Sequence, residues 1–448
     1  MIRLFTTSLL SLTVLCLAAQ TSTSMEVYQI FQAKCASCHS GNEPAAGLDL
    51  QGIGASEQAR MMNVFSNIYE RTPSNGTAAA KGDAYIYPGR PDKSFIFRKA
   101  NNGLEATVDL DPAEEGQIMP PYGSPPLTLA ETEMIRQWIQ FGAPTSGTVV
   151  DRDVIEDYYE NGGLQAFPDG PPPAPAEDEG FQVKMGPFYL APGEELEFFQ
   201  KYELELPEDL EVNRLDMEFG TYSHHFIVYD FNGNGADFIP HGLRLDPDHS
   251  NIGMVAAIQE PTDLRLPEGT AFRWDDDLVL DLNSHYINYS ATMPYQAEVY
   301  MNVYTQSTGT AAQEMYTDLL VNLDIYIPND ENEVTESQVI NPNYGEIYLW
   351  GMMGHTHQYG TSYKAWQRTN FTNEELIYDA SCPNGIPGCT SPYFDYHHIP
   401  IRYFEPLQPL TMNFANGLRH EASWINDGPT PVWFGPTSQD EMMVMVIM

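Results

Sequence analysis

Positive charge is scarce in this chain of 448 residues. Lys and Arg number 21 against 62 Asp and Glu, a formal net charge of −41. Such a surplus of acid repels phosphate, which excludes nucleic acid as a natural partner and argues against docking on anionic lipid heads. Like charge keeps the surface solvated, and a saline habitat suits it. Cysteine is scarce too, and five residues do not make a disulfide scaffold of a chain this long. No apolar run reaches the roughly 18 residues that signal a membrane-spanning helix, so the mature chain is expected to be soluble. A P-loop, a nucleophile elbow and an H-E-x-x-H zinc motif are all missing. Gly and Pro are plentiful at 34 each and aromatics reach 12%, a composition of turn-rich β proteins. The length predicts about three domains at roughly 150 residues each.

Residues 1–20 read as a secretory signal: a basic start at Arg3, a short apolar run from Leu9 to Ala19, and a small-residue end. A periplasmic or secreted location follows. Cys16 leaves a lipoprotein anchor as the lesser alternative, because Leu15 is larger than the residue usually found before a lipidated Cys. Cleavage near Ala19 leaves Cys35, Cys38, Cys382 and Cys389.

Residues 25–150 lean towards helix. Glu131 to Phe141 has amphipathic spacing, with Gly142 as its stop. Residues 165–180 form a Pro-rich acidic run, read as a stiff linker. From Phe181 the texture turns to short alternating runs, such as Glu195-Leu196-Glu197-Phe198-Phe199 and Phe226-Ile227-Val228-Tyr229. That alternation predicts antiparallel β-sandwich, with a break near Gln306 to Thr310 dividing 181–308 from 309–448. The expected fold class is multidomain: a small α-helical domain followed by two antiparallel β-sandwiches.

Cys35-Ala36-Ser37-Cys38-His39 is C-x-x-C-H. Two thiols about one helical turn apart can each add to a vinyl group of one haem, while the adjacent His reaches the iron. A zinc site would need a second Cys pair nearby, and none is present. Met119, in Ile118-Met119-Pro120-Pro121, is the favoured second axial ligand, with Met61, Met62 and Met134 as competitors. This stretch resembles the small class I cytochromes c over about residues 25–145.

Five of the histidines beyond the Pro-rich run cluster as His224-His225, His285 and His355-Thr356-His357. Residues two apart on a strand share a face, so His355 and His357 make a ready ligand pair. Adjacent His224 and His225 would oppose one another unless a bulge or strand end intervenes. All-imidazole sites suit zinc or copper, and a thioether from Asp440-Glu441-Met442-Met443 would tip the choice towards copper. Met442, Met443 and Met445 remain equal on these grounds.

Taken in order, His224-His225-Phe226, Ser284-His285-Tyr286, Gly354-His355-Thr356-His357 and Asp440-Glu441-Met442 resemble the copper type II, ascorbate-dependent monooxygenases, the family of peptidylglycine α-hydroxylating monooxygenase and dopamine β-hydroxylase. The resemblance covers about residues 181–448 and implies two jelly-roll domains with one copper in each. It assigns His224, His225 and His285 to an electron-transfer copper. It assigns His355, His357 and Met442 to the copper that binds oxygen. The peptide-processing members carry Arg where this chain has Met353, and polar contacts where it has Val444 and Val446, so a peptide carboxylate is not the expected substrate handle. The family is usually rich in disulfides, whereas only Cys382 and Cys389 are left here to pair.

The leading expectation is a secreted monooxygenase hydroxylating a small organic substrate with O2, holding one covalent c-type haem and two coppers, and refilled by a periplasmic electron donor. The alternatives are a non-catalytic electron-transfer or copper-binding protein and a haem-tagged carbohydrate-binding sandwich. Asp230-Phe231-Asn232-Gly233-Asn234-Gly235 opens like a calcium loop, but His241 stands where the bidentate Glu belongs, which makes it a turn. His397-His398 is a further adjacent pair, set aside for want of a third partner.

Overall fold

Strand dominates the computed structural model, which describes residues 21–448 apart from 106, 107, 109, 246–251, 436 and 438. The signal segment and Cys16 lie outside the described residues. The chain divides into two compact units, Met1–Arg152 and Asp153–Met448.

The first unit is built on short capped helices. Ser22 caps Thr23–Lys34 by accepting from the Met25 N–H, and Ser56 caps Glu57–Ile68 in the same way through Ala59. Leu129–Gln140 opens with a full capping box, in which Thr128 and Glu131 each accept from the other's backbone N–H. It ends as expected at Gly142, whose φ of 82° suits a residue without a Cβ. Both faces of this helix are buried, not one. Trp138 packs on Phe65 at 4.7 Å between ring centroids. The charges on its other face are enclosed as a cluster, with Arg136 held by Glu133 and Glu105. A second enclosed cluster joins Arg98 to Asp83 and Glu115.

The second unit is sheet. A five-stranded sheet runs Gly242–Arg244, Glu195–Glu203, Val279–Ile287, Ser223–Phe231, Ile252–Ile258, antiparallel throughout. Facing it is a seven-stranded sheet centred on Tyr295–Ser307 and Leu210–Phe219. Phe188 of that sheet meets Phe198 and Tyr286 of the first at 4.0 and 5.2 Å, which marks the core between them. A second pair of sheets follows, each of four strands. One runs Asp318–Val321, Val444–Ile447, Gly345–His355, Arg402–Met412, and the other Glu333–Ile340, Gly417–Ile425, Gly360–Arg368, Glu374–Asp379. They approach so closely that a Cβ on Gly354 would overlap the Tyr363 ring.

The expected fold class needs correction. The chain is mainly β, and an α-helical cytochrome domain does not stand out: the helices of the first unit are short and joined by long loops and isolated bridges such as Tyr69 to Ile86. After that unit the strands fall into two pairs of sheets, which change over between Gln313–Glu314 and Asp318–Val321, close to the expected break. Residues 153–448 form one compact unit, because long-range contacts cross the expected break: Met254 bridges to Thr317, and the Thr317 hydroxyl donates to the Val255 carbonyl. Two strand pairs are parallel, Leu164–Gln165 with Tyr295–Ser307 and Gln313–Glu314 with Thr270–Trp274. Local alternation reveals strands; it does not reveal which strands pair or how many cores they share.

The stretch near 306–310 is a tight turn gathered on buried Glu211, which accepts from the N–H groups of Gly309 and Ala311 at 2.7 Å each. In the Pro-rich run, the carbonyls of Pro172 and Pro173 accept from Gln182 and Asn302. No helix among the described residues is long and apolar enough to cross a membrane.

Candidate metal centre

The histidine site begins with strand register. His285 pairs across one ladder with His225 and across the other with Glu197, so three functional residues share one rung. The next pair is Tyr286 with Ser223, which skips His224. His224 is therefore the bulged residue, and the bulge turns two adjacent histidines towards one place. Ligand atoms of His224, His225 and His285 all lie within 4.8 Å of one another.

His355 ends its strand and His357 follows two residues later, their rings 5.1 Å apart. The two groups lie side by side, and only His224, His225 and His285 bring their ligand atoms within 4.8 Å of one another. His224 lies 6.2 Å from His355 and 6.4 Å from His357, and His225 lies 6.1 Å from His355. These separations are wider than those inside the first group, 5.2–5.6 Å. All five rings are buried.

Hydrogen bonds choose the free nitrogen on three of them. The His285 Nε2–H donates to Glu195 at 2.9 Å, and the His225 Nε2–H donates to Asn283 at 3.1 Å and Glu197 at 3.3 Å. The His357 Nδ1–H donates to the Asp440 carbonyl at 3.1 Å. The remaining nitrogens, His225 Nδ1, His285 Nδ1 and His357 Nε2, are buried without a hydrogen-bond partner. Metal-ligating histidines are arranged in this way, with one nitrogen on a carboxylate or carbonyl and the other free. The donor set therefore fits a first-row metal.

Electrostatics keeps three of the rings, His224, His355 and His357, neutral. Burial, followed by the neighbouring imidazoles, holds His224 and His355 well below the usual histidine range. Burial brings His357 down to about 4. A neutral imidazole keeps the lone pair that a metal needs. At Glu197, burial alone would raise the carboxyl, but hydrogen bonds from His225 and Asn283 hold it below its ordinary value.

Glu441 secures the far side. Its carboxylate accepts from the N–H groups of His357 and Tyr359 and from the Trp424 indole, at 2.7–2.9 Å. Burial pushes it up to about 7 against those bonds. Met442 follows directly and is half-buried. Of its rivals, Met443 has its sulfur on the Asn322 amide at 3.4 Å, and Met445 is enclosed in the sheet beside Gly354. Met353 is buried.

In the first unit a cavity of about 510 Å³ is lined by Phe31, Cys35, Cys38, His39, Met119 and Ile135 among others. Its size lies within the roughly 300–1,000 Å³ of cofactor pockets. Cys35 and Cys38 are free thiols, and burial followed by the neighbouring Cys38 pushes Cys35 up to about 11. The His39 Nδ1–H donates to the Leu48 carbonyl at 3.3 Å, which leaves Nε2 available as a ligand atom. The Met119 N–H donates to the Lys99 carbonyl, tying its loop to helix Phe95–Ala100. Met61 and Met134 are buried in helix packing and Met62 is exposed. Thiols, imidazole and thioether around one apolar cavity fit a covalent haem. Cys382 and Cys389 are joined as a disulfide.

Sequence reasoning missed Glu195, Glu197 and Gln259. The first two sat in view as carboxylates two apart on a strand, hence on one face. Gln259, whose amide meets His355 Nδ1 at 3.1 Å, carries no sequence signal. His397 was set aside, yet its ring stands 6.1 Å from His224. Asp275 to Leu278 and Asn232 to Gly235 are hydrogen-bonded turns.

No protein-family model matches the chain, and no curated protein matches it. Among solved structures, PNGase F, a glycosylasparaginase from Flavobacterium meningosepticum, is similar at 10% identity over 60% of this chain and 96% of its own, with a TM-score of 0.27. The STIV MCP is similar at 10% identity over 60% and 96%, with a TM-score of 0.24. Likeness at this level carries no argument about fold or function.

Proposed function

We propose that the chain is a copper-dependent monooxygenase that hydroxylates a C–H bond of a small organic substrate with O2, with electrons supplied through a covalent c-type haem. One observation carries the reading: five buried imidazoles converge, and three of them present a nitrogen with no other partner. His224, His225 and His285 would hold one copper, and His355, His357 and Met442 the other. Copper in such ligands passes single electrons and activates O2. The protein's own part is to fix the ligands. Glu195, Glu197 and the Asp440 carbonyl set the tautomers, and Glu441 anchors the backbone of His357 and Tyr359.

Substrate C–H, O2, two electrons and two protons give an alcohol and water, so two electrons must enter from outside. In the first unit Cys35 and Cys38 would bind the haem covalently, with His39 and Met119 as axial ligands. That haem, refilled by a periplasmic donor, is the proposed entry port.

Metal analysis and an optical spectrum of the full chain test the reading. One c-type haem and two coppers per chain are expected; absence of copper overturns it. The carrier alternative draws on the closeness of the two histidine groups. Met442→Leu separates the two. Lost O2 uptake with haem reduction intact supports the enzyme, whereas a parent protein that consumes no O2 with any reductant and substrate supports the carrier.

A further inference from the structure

The segment Tyr393 to Ile399 lies beside the histidine cluster and brings a sixth imidazole to it. The His397 ring is 6.1 Å from that of His224, at 86° to it. A ligating nitrogen sits about 2.0 Å from a metal. Two imidazoles on one ion therefore place their ring centres up to roughly 6 Å apart. The His224–His397 spacing is at that limit.

The segment is fastened. Asp395 accepts from the His397 N–H at 3.0 Å and stands 3.5 Å from its Nδ1. The same carboxylate takes the ring of His398, which is exposed. Tyr396 stacks on His397 at 3.9 Å. The Tyr396 carbonyl accepts from the Gln259 amide at 3.4 Å, and that amide also meets His355. Behind it, the Tyr393 N–H donates to Ser381, one residue before the Cys382–Cys389 disulfide. A carboxylate beside Nδ1 and an open Nε2 repeat the arrangement seen at His285 in the mirror sense. Unlike the other five, His397 is 41% exposed through its side chain, so it is the one ring of the set that solvent reaches freely.

We propose that His397 is an additional copper ligand, binding through Nε2 at the outer face of the cluster beside His224. This rests on the copper reading above. It adds a ligand that the family resemblance does not supply. As the most exposed ligand it is also the one most easily displaced.

The test titrates the full chain with copper, competing against a chromophoric chelator, and records the Cu(II) paramagnetic resonance spectrum. His397→Ala removes the ring. His397→Phe keeps the stack on Tyr396 while removing both nitrogens, which guards against a folding defect. His398→Ala is the control. Both His397 variants are expected to weaken one copper by at least about tenfold, in the roughly 10–100-fold range for perturbed metal sites, and to change the nitrogen hyperfine pattern. The His398 variant should match the parent. Two coppers bound in the parent with unchanged affinity and spectrum in both His397 variants overturns this inference alone. A parent that binds no copper overturns it together with the reading beneath it.

Discussion

At the residue scale, the site depends on which ring nitrogen carries the proton. Glu195 and Glu197 make that choice for His285 and His225. Glu197→Ala leaves the His225 ring with Asn283 alone, and copper affinity should fall roughly 10–100-fold with the fold intact, as read by chelator competition. Undiminished affinity would mean that the carboxylate only packs. Away from the site, His420 is buried between the Tyr363 hydroxyl at 2.6 Å and the Gln338 carbonyl at 2.8 Å. Burial takes it down to about 4. The unfolded chain binds the proton from about pH 6.5 downwards, the native state only near 4. Stability is therefore whole above pH 6.5 and is lost as pH falls towards 4, by on the order of 3 kcal/mol from this residue. His420→Gln should be less stable at pH 7 but flatter with acid in urea titrations at pH 7 and 5. Parallel curves for the two proteins would rule the assignment out. None of this was visible in the sequence, where His420 is a lone histidine and the two glutamates are one alternating run.

At the scale of elements, the sequence was most legible where the period was local. Alternation marked the strands, and the adjacency of His224 and His225 demanded a bulge, which the ladder has at His224. The C-x-x-C-H stretch and Met119 were both visible and line one cavity. What could not be read was the pairing of elements far apart. His224, His285, His355 and His397 meet only because strands pair in particular registers and because two sheet pairs share one unit. A family pattern of two separated cages gave no hint that the two histidine groups lie side by side. Sheet spacing is just as invisible, and Gly354 sets it. Gly354→Ala pushes a methyl into the Tyr363 ring, and overpacking of this kind typically costs about 1–3 kcal/mol. A shift of the urea midpoint without change of slope is expected. A variant as stable as the parent would show that the two sheets separate freely.

For the whole molecule, acid outnumbers base 62 to 21, and three of those 21 cations are enclosed with carboxylate partners: Arg98 with Asp83 and Glu115, Arg136 with Glu133 and Glu105, Arg244 with Asp281. Length anticipated about three domains; the chain clusters into two compact units, the second of which holds both pairs of sheets. The row formed by Glu197, His285 and His225 has a wider consequence. Slipping any of its three strands by one residue would turn that strand's member of the trio to the opposite face. An ion gripping the two histidines would accordingly act as a proofreader of chain alignment during assembly, rewarding the one threading that brings their nitrogens together.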